Sequence, residues 1–568
     1  MPNLIYVLFR RLRSPLITLI LVYAISMIGF VLIPGVDDQG KPWHMSFFHA
    51  FYFVSFMGTT IGFGEVPYAF TDAQRFWVML TMYATVVAWL YCIGVLLSVF
   101  QDASFQRMLR ANAFRRQVKH IREPFYIICG YGDTGAQLTH AISEEGILCV
   151  VIDINQDRIN ELEADDFRTF PISLCADVSL SQVLEDAGIT HPWCKGIITL
   201  VNEDTVNLTV AVTAELLNPE LRLISRAETP EAAANILSFG ANEVINPFET
   251  FASRLALAIK SPSLYCLYEW MTSPKGMPLK EPPLPKKGLW ILCGFGRFGH
   301  TIYEHLNVIE GITPRVIESE RSVRDLPAAS IIGRPTEASA LLKAGVKDSV
   351  GIIAGTDNDA NNLSIIMTAQ ELNHTLFRIA RQNHEKNSHL FQSAHLEMLM
   401  QRGTIISNTI FAFIKTPLLS DFLHIVSRFN NDKANELLSR IIAVVYDGVP
   451  ELWEICINQD KTPALYEVIK KQQVMLKEII YGNSIADTKR ARMTALPLFL
   501  KRGKGNVLLP EENRIVQEND RFLMCGTNEA RQKMLLLLNN INLLESVLSG
   551  KEVPASWVYK KIRELSTN

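Results

Sequence analysis

The chain has 568 residues, 48% of them hydrophobic and 20% charged, with a formal net charge of -3. That length allows several domains, and the near balance of charge gives no reason to expect a nucleic-acid partner. Nine cysteines are dispersed without a Cys-x-x-Cys pair, which suits a reducing cytosol better than a disulfide or zinc framework.

Residues 16–33 form an almost unbroken apolar run and residues 76–100 a second, each long enough to cross hydrocarbon as a helix. A cleaved signal peptide is the alternative for the first run, but no small-residue cleavage site follows it. Residues 45–57 are aromatic-rich and lack acidic, Lys or Arg side chains, so they predict a short re-entrant helix. Next comes Gly58-Thr59-Thr60-Ile61-Gly62-Phe63-Gly64-Glu65. A Thr hydroxyl and successive carbonyls at Thr60, Ile61, Gly62, Phe63 and Gly64 can replace the hydration shell of an ion where glycines permit the necessary turns. Arg10, Arg11 and Arg13 precede the first run and Asp37 and Asp38 follow it, whereas Arg107, Arg110, Arg115, Arg116, Lys119 and Arg122 follow the second. The positive-inside rule then places both ends in the cytoplasm, with the basic cluster against anionic headgroups. In the second run Gly94 is the one glycine and a candidate hinge; packing is the alternative. Leu97, with Leu96 and Phe100, is a candidate for a hydrophobic constriction, or else faces lipid.

Beyond the basic connector one α/β unit occurs twice. Residues 125–129 read as a buried strand running into Gly130-Tyr131-Gly132-Asp133-Thr134-Gly135 and a helix; residues 289–293 do the same before Gly294-Phe295-Gly296-Arg297-Phe298-Gly299. Each loop is G-x-G-x-x-G, in which glycines allow a tight turn and a pyrophosphate meets a helix N-terminus. A second strand ends in an acid in both copies, Asp153 and Glu318, able to accept ribose hydroxyls and to repel a 2′-phosphate. This favours NAD, ADP or ATP over NADP. Residues 202–208 are echoed by 357–363, each opening a helix, where Asn202 and its neighbours either cap the helix or touch nucleotide. Later strands place Arg226 and Arg381 at their carboxyl ends, where ligands collect in parallel sheets.

The first part resembles two-span potassium channels, whose filters read Thr-Val-Gly-Tyr-Gly-Asp; Ile61, Phe63 and Glu65 depart from that pattern. The repeat resembles the RCK, or KTN, domains that regulate potassium channels and transporters. Together these resemblances imply an α-helical two-span membrane pore domain plus α/β: two Rossmann-like RCK domains with doubly wound parallel sheets and a small α+β C-terminal subdomain. They imply the pore at 1–104, a basic linker at 105–122, RCK domains at 123–273 and 288–430, a proline-rich linker at 274–287, a C-terminal subdomain at 431–530 and a helical tail at 531–568. Residues 251–270 read as crossover helices, residues 441–446 as a strand and residues 506–509 as part of a hairpin.

The resemblance implies a ligand-gated potassium channel in the inner (cell) membrane, not an enzyme. It also implies a homotetramer in the lipid bilayer with eight RCK domains in a ring, K+ in the filter, and NAD or ADP/ATP as regulatory ligands. Many family members carry an acid after the third strand near the adenine; Asp177 matches in the first copy, whereas Arg334 stands there in the second. Arg297 can pair with phosphate where the first copy has Asp133. Calcium is a further candidate ligand, with Glu203, Asp204, Asp357 and Asp359 as carboxylates but no motif fixing a metal site. A potassium-transporter regulatory component and an NAD-dependent oxidoreductase are the alternatives. The first needs no filter of its own, and the second needs a catalytic acid or base that does not stand out.

Overall fold

A computed structural model describes residues 4–273, 284–445, 450–484 and 487–549. Most of the proline-rich linker expected at 274–287 and the end of the tail lie outside the described residues. The chain divides into two compact units, residues 1–121 and 122–568.

The first unit is helical: α1 (Leu4–Leu32), α2 (Phe47–Gly58), α3 (Asp72–Gln101) and α4 (Ala103–Lys119). Segments Arg10–Leu32 and Asp72–Gln101 are long and apolar enough to cross a membrane. Ser46 caps α2 by accepting from the His49 amide, and Thr71 and Gln74 form a capping box that starts α3 ahead of its apolar run. Phe30, Phe53 and Phe70 are buried together and tie the short helix to the first span.

The second unit contains two six-stranded parallel sheets. The first is built from β1 (Phe125–Cys129), β2 (Leu148–Asp153), β3 (Ile172–Cys175), β4 (Cys194–Thr199), β5 (Arg222–Arg226) and β6 (Glu243–Ile245), in the order β3-β2-β1-β4-β5-β6. The second repeats that order with β7 (Gly288–Cys293), β8 (Ile312–Glu318), β9 (Ile331–Ile332), β10 (Gly351–Ala354), β11 (Phe377–Gln382) and β12 (Met398–Gln401), as β9-β8-β7-β10-β11-β12. Both have the doubly wound order whose crevice lies beyond the carboxyl ends of the strands.

The two copies exchange helices. The glycine loops open α5 (Asp133–Glu144) and α7 (Arg297–Asn307), while α6 (Pro247–Lys260) follows β6 and α8 (Arg402–Lys415) follows β12. Helix α6 of the first copy packs on the second sheet, with Phe248 and Phe251 against the fully buried Phe298 and Glu249 bound to His305 at 2.7 Å. Helix α8 of the second copy returns the contact: Ile406, Ile410 and Ile414 join the core of the first sheet beside Leu138 and Ile142 of α5, and Lys415 meets Glu145 at 2.8 Å. By composition α8 and the following helix Leu418–Val426 also pass as a bent apolar pair, but α8's apolar face is spent on this core.

The remainder packs helices Pro262–Thr272, Leu418–Val426 and Asn431–Val445 against a four-stranded antiparallel sheet, in the order Glu451–Cys456, Arg521–Gly526, Ala495–Arg502, Gly505–Leu508. The strand expected at 441–446 is instead the end of a helix. Ala434, Leu437, Ile441 and Val445 are its buried residues, a helical spacing that outweighs the local β-branched run; Tyr446 lies outside the described residues. The hairpin expected around 506–509 is present.

Phe298→Ala removes the ring at the centre of one exchanged contact. It is expected to cost about 3–5 kcal/mol, read as a fall in the apparent thermal midpoint of the purified full chain. Phe170→Ala, at a half-exposed surface ring, is expected to change stability by less than about 0.5 kcal/mol.

Candidate functional site

The pore loop leaves the end of α2 under hydrogen-bond control: the Thr60 amide donates to Met57 O at 3.1 Å and the Ile61 amide to Phe56 O at 3.0 Å. Thr60, Gly62 and Gly64 then take φ of 61°, 65° and 97°, with Ile61 and Phe63 on the ordinary side between them. A backbone that alternates hand in this way can lay successive peptide dipoles to one side of the chain, unlike a strand, where they alternate. Glu65, standing where the related filters have Asp, accepts from Arg75 Nε at 2.9 Å and from the Phe70 amide at 2.8 Å, so it ties the end of the loop to α3. Gly94 has open space where a Cβ would be, and Leu97 is half exposed. Arg11 pairs with Asp102 at 2.5 Å, and the same carboxylate caps α4 through the Ser104 and Phe105 amides.

The second unit holds a cavity of about 640 Å³ at the carboxyl end of the first sheet. Gly130, Gly132, Asp133, Thr134, Asp153, Asp177, Asn202 and Arg226, all singled out from sequence, line it together. Gly135 lies beneath the loop: a Cβ there would stand 2.1 Å from the Gly130 carbonyl. Asp153 is buried and accepts from the Tyr131 amide of the glycine loop at 2.6 Å and the Asn155 amide at 2.8 Å, so the acid shapes the loop besides facing the cavity. Its oxygens retain lone pairs for further donors. Arg158 reaches over Gly132, its Nη1 3.7 Å from Asp153 Oδ2.

Sequence reading missed the other wall. Gln382 at the end of β11 with Asn383, His384 and Glu385 after it, and Gln401 at the end of β12 with Arg402, Gly403 and Thr404 at the start of α8, line the same cavity from the second copy. A Cβ on Gly403 would stand 3.5 Å from the Thr134 amide, so the start of α8 lies against the start of α5. Gln137 donates to Glu385 at 2.9 Å and accepts from Ser407 at 3.2 Å. The exchange of helices therefore makes a first-copy cavity into a site built by both copies.

In the second copy Glu318 repeats the role of Asp153, accepting from the Phe295 amide at 2.7 Å and the Ser319 amide at 2.6 Å. Gly294 takes φ of 94° and Gly296 precedes α7. Phe298 turns into the core, and Arg334 is exposed beyond β9. Arg297, read as a phosphate ligand, instead pairs with the buried Glu228 of the first copy. Glu228 also binds Arg226 and lies 3.4 Å from Arg402, and no local sequence signal marks it. Arg381 pairs with Asp357 at 2.6 Å, the counterpart of Arg226 donating to Asn202 at 2.6 Å. Burial lowers the pKa of both Arg226 and Arg381, an effect opposed by Glu228 and Asp357 respectively.

Two of the calcium candidates fasten loops. Asp204 accepts from the Glu228 amide at 3.0 Å, and Asp359 from the Asn383 and His384 amides and the Asn387 side chain. Burial of Asp359 favours its neutral form, yet those hydrogen bonds hold its pKa below the ordinary carboxylate value. Among the described residues, no three His, Cys, Asp or Glu side chains form a group able to hold a metal.

Residues 126–247 and 290–401 match the TrkA-N domain, and residues 17–102 match the family described as ion channel. The chain is an ion-channel domain followed by tandem TrkA-N domains. It is homologous to "Probable potassium channel protein 2" of Methanocaldococcus jannaschii, 29% identical over 244 residues, which are 42% of this chain and 65% of that protein. "Potassium channel protein 1" of the same organism is 26% identical over 260 residues, 45% of this chain and 72% of the relative. The chain thus spans about two thirds of the length of each of these two relatives. These relatives are named as channels, not enzymes, and with the two apolar helices they make this a membrane protein. Among solved structures, "GsuK channel bound to NAD" covers 96% of this chain and 100% of its own at 15% identity, with a TM-score of 0.44. "Crystal structure of the GsuK bound to ADP" covers 72% and 99% at 18% identity, with a TM-score of 0.41.

The tandem TrkA-N loops give a sharp contrast within one turn. A Cβ on Gly299 would stand 2.0 Å from the Gly294 carbonyl, whereas one on Gly296 would meet nothing within 4 Å. Gly299→Ala is expected to destabilise the purified chain by about 1–3 kcal/mol through the forced backbone shift, and Gly296→Ala to leave its thermal midpoint within about a degree.

Proposed function

We propose that this chain is the subunit of a potassium-selective channel of the cell membrane, with both termini cytoplasmic, gated by an adenine nucleotide. Four chains would surround the ion with four copies of residues 60–64 and bring eight TrkA-N domains together in a ring. The observation that carries the reading is the occurrence, in one chain, of a loop alternating backbone hand at Thr60, Gly62 and Gly64 behind a short helix, and of a cavity gathering Gly130, Asp153 and Asp177. A regulatory component of a transporter would leave the first of these without a use.

In the first cavity, Asp153 would accept the ribose hydroxyls and Asp177 would lie toward the base, while the phosphates would meet the start of α5 beside Arg158. NAD, ADP and ATP share that adenosine portion. Because the cavity has walls from both copies, a ligand favours the arrangement of the pair that fits it best. Differential affinity for two such arrangements supplies the free energy for gating. Chain continuity through α4 connects that ring to the second span. In the second copy, Glu318 offers the same ribose anchor, but Arg297 and Arg381 are already in ion pairs. Our reading therefore places the principal ligand in the first copy. It assigns no calcium site.

Purified full-length protein in liposomes is expected to pass K+ in preference to Na+, and the flux is expected to change with NAD, ADP or ATP on the TrkA-N side. Asp153→Asn is expected to weaken that nucleotide response about tenfold or more in half-maximal concentration. Absence of flux under every nucleotide condition would contradict the channel, and an unaltered response in Asp153→Asn would contradict the ribose anchor.

A further inference from the structure

The end of the cavity beyond the glycine loop gathers arginines paired with a carboxylate of the chain itself, while Glu203 and Glu385 line other parts of its wall. Arg226 and Arg402 line it, and Arg297 and Arg381 stand just behind, with Arg297, Arg381 and Arg402 all within 6.0 Å of the Phe248 ring. These four guanidiniums share two carboxylates: Glu228 serves Arg226, Arg297 and Arg402, and Asp357 serves Arg381. Arg226 is 4% exposed and Arg381 7% exposed, and the Nε atom of each is buried without a hydrogen-bond partner. Arg402 is part-exposed and Arg297 exposed, but Arg226 and Arg381 are like charges at low exposure, which is costly, and an anion that accepts from a buried guanidinium relieves that cost.

Glu228 follows β5 of the first copy, Arg402 begins α8 of the second, and Arg297 begins α7 in the second glycine loop. One first-copy carboxylate therefore holds both second-copy segments. We propose that Glu228 occupies, from within the chain, the place of the terminal phosphate of a nucleoside polyphosphate. Resting on the reading of the first cavity as an adenine-nucleotide site, the inference is that such a phosphate binds Arg226 and Arg402 and displaces the Glu228 carboxylate. That displacement releases Arg297 and loosens the hold of the first copy on the second glycine loop. A nucleoside monophosphate, which ends at the start of α5, leaves Glu228 in place. The exchange is one of ionic partners only, with no covalent change. It makes phosphate-chain length, rather than the adenosine portion, the signal that the joint between the copies reads.

The test is calorimetric titration of the detergent-solubilised full chain with ATP and with AMP, for wild type and Glu228→Gln. Removing the internal competitor is expected to tighten ATP about tenfold while AMP changes by less than about twofold. Equal changes for both ligands, or none for either, would overturn the latch while leaving the nucleotide site standing. Failure of both ligands to bind wild type and variant would overturn the site and the latch together. If Glu228→Gln does not yield folded channel, Arg402→Gln answers the same question: its ATP-to-AMP affinity ratio is expected to fall about tenfold, and an unchanged ratio rejects the proposal.

Discussion

Everything distinctive about the second unit depends on the reciprocal burial of two apolar helices. Neither α6 nor α8 completes the sheet that precedes it; each fills the core of the other copy, with Phe248 and Phe251 against Phe298 on one side and Ile406, Ile410 and Ile414 beside Leu138 and Ile142 on the other. Each fully buried large side chain contributes roughly 1.5–3 kcal/mol of transfer free energy, so separating the copies would expose a substantial part of both cores. The pair is consequently one body in which the start of α8 must lie against the start of α5. That constraint turns a cavity at the sheet end of one copy into a site with a wall from each.

Charge refines what the apolar exchange establishes. The loops after β5 and β11 are fastened by Asp204 and Asp359, which accept backbone amides of Glu228, Asn383 and His384. These two acids fix the segments that carry Glu228 and the cavity wall. Glu228 then faces Arg226 of its own copy and Arg297 and Arg402 of the other. The two glycine loops, alike in sequence, have thereby acquired different roles. The first opens into the cavity, and the arginine of the second is engaged in the joint. The first unit shows the same economy at Glu65, where one carboxylate joins the end of the loop after α2 to the start of α3 through Arg75 and the Phe70 amide.

Much of this was legible in the sequence, because the chemistry involved is local. Two apolar runs around Thr60 to Gly64, and glycine loops followed at matching distances by Asp153 and Glu318, specify their structures through spacing alone. The acids proved to have a second task that spacing does not reveal, since each also accepts an amide from its own glycine loop. What was not legible depends on partners remote in the chain. Nothing near Arg402 announces that it meets Glu228, 174 residues earlier, and Arg297 reads locally as a phosphate ligand until Glu228 is placed beside it. The nearest available signal was positional: Arg402 and Gly403 follow the last strand of their repeat as Pro247 and Phe248 follow theirs. The helix Asn431–Val445 was misread for the opposite reason, as a short β-branched stretch concealed a longer helical period.

The first cavity has walls from both TrkA-N copies. Hydrogen exchange on the full chain with and without saturating adenine nucleotide tests it most directly, because it reports backbone protection segment by segment. Nucleotide is expected to slow exchange at residues 130–135 and 153–155 and also at residues 382–385 and 401–404. Protection confined to the first-copy segments, with 382–385 and 401–404 unaffected, would show that the second copy forms no part of the ligand site.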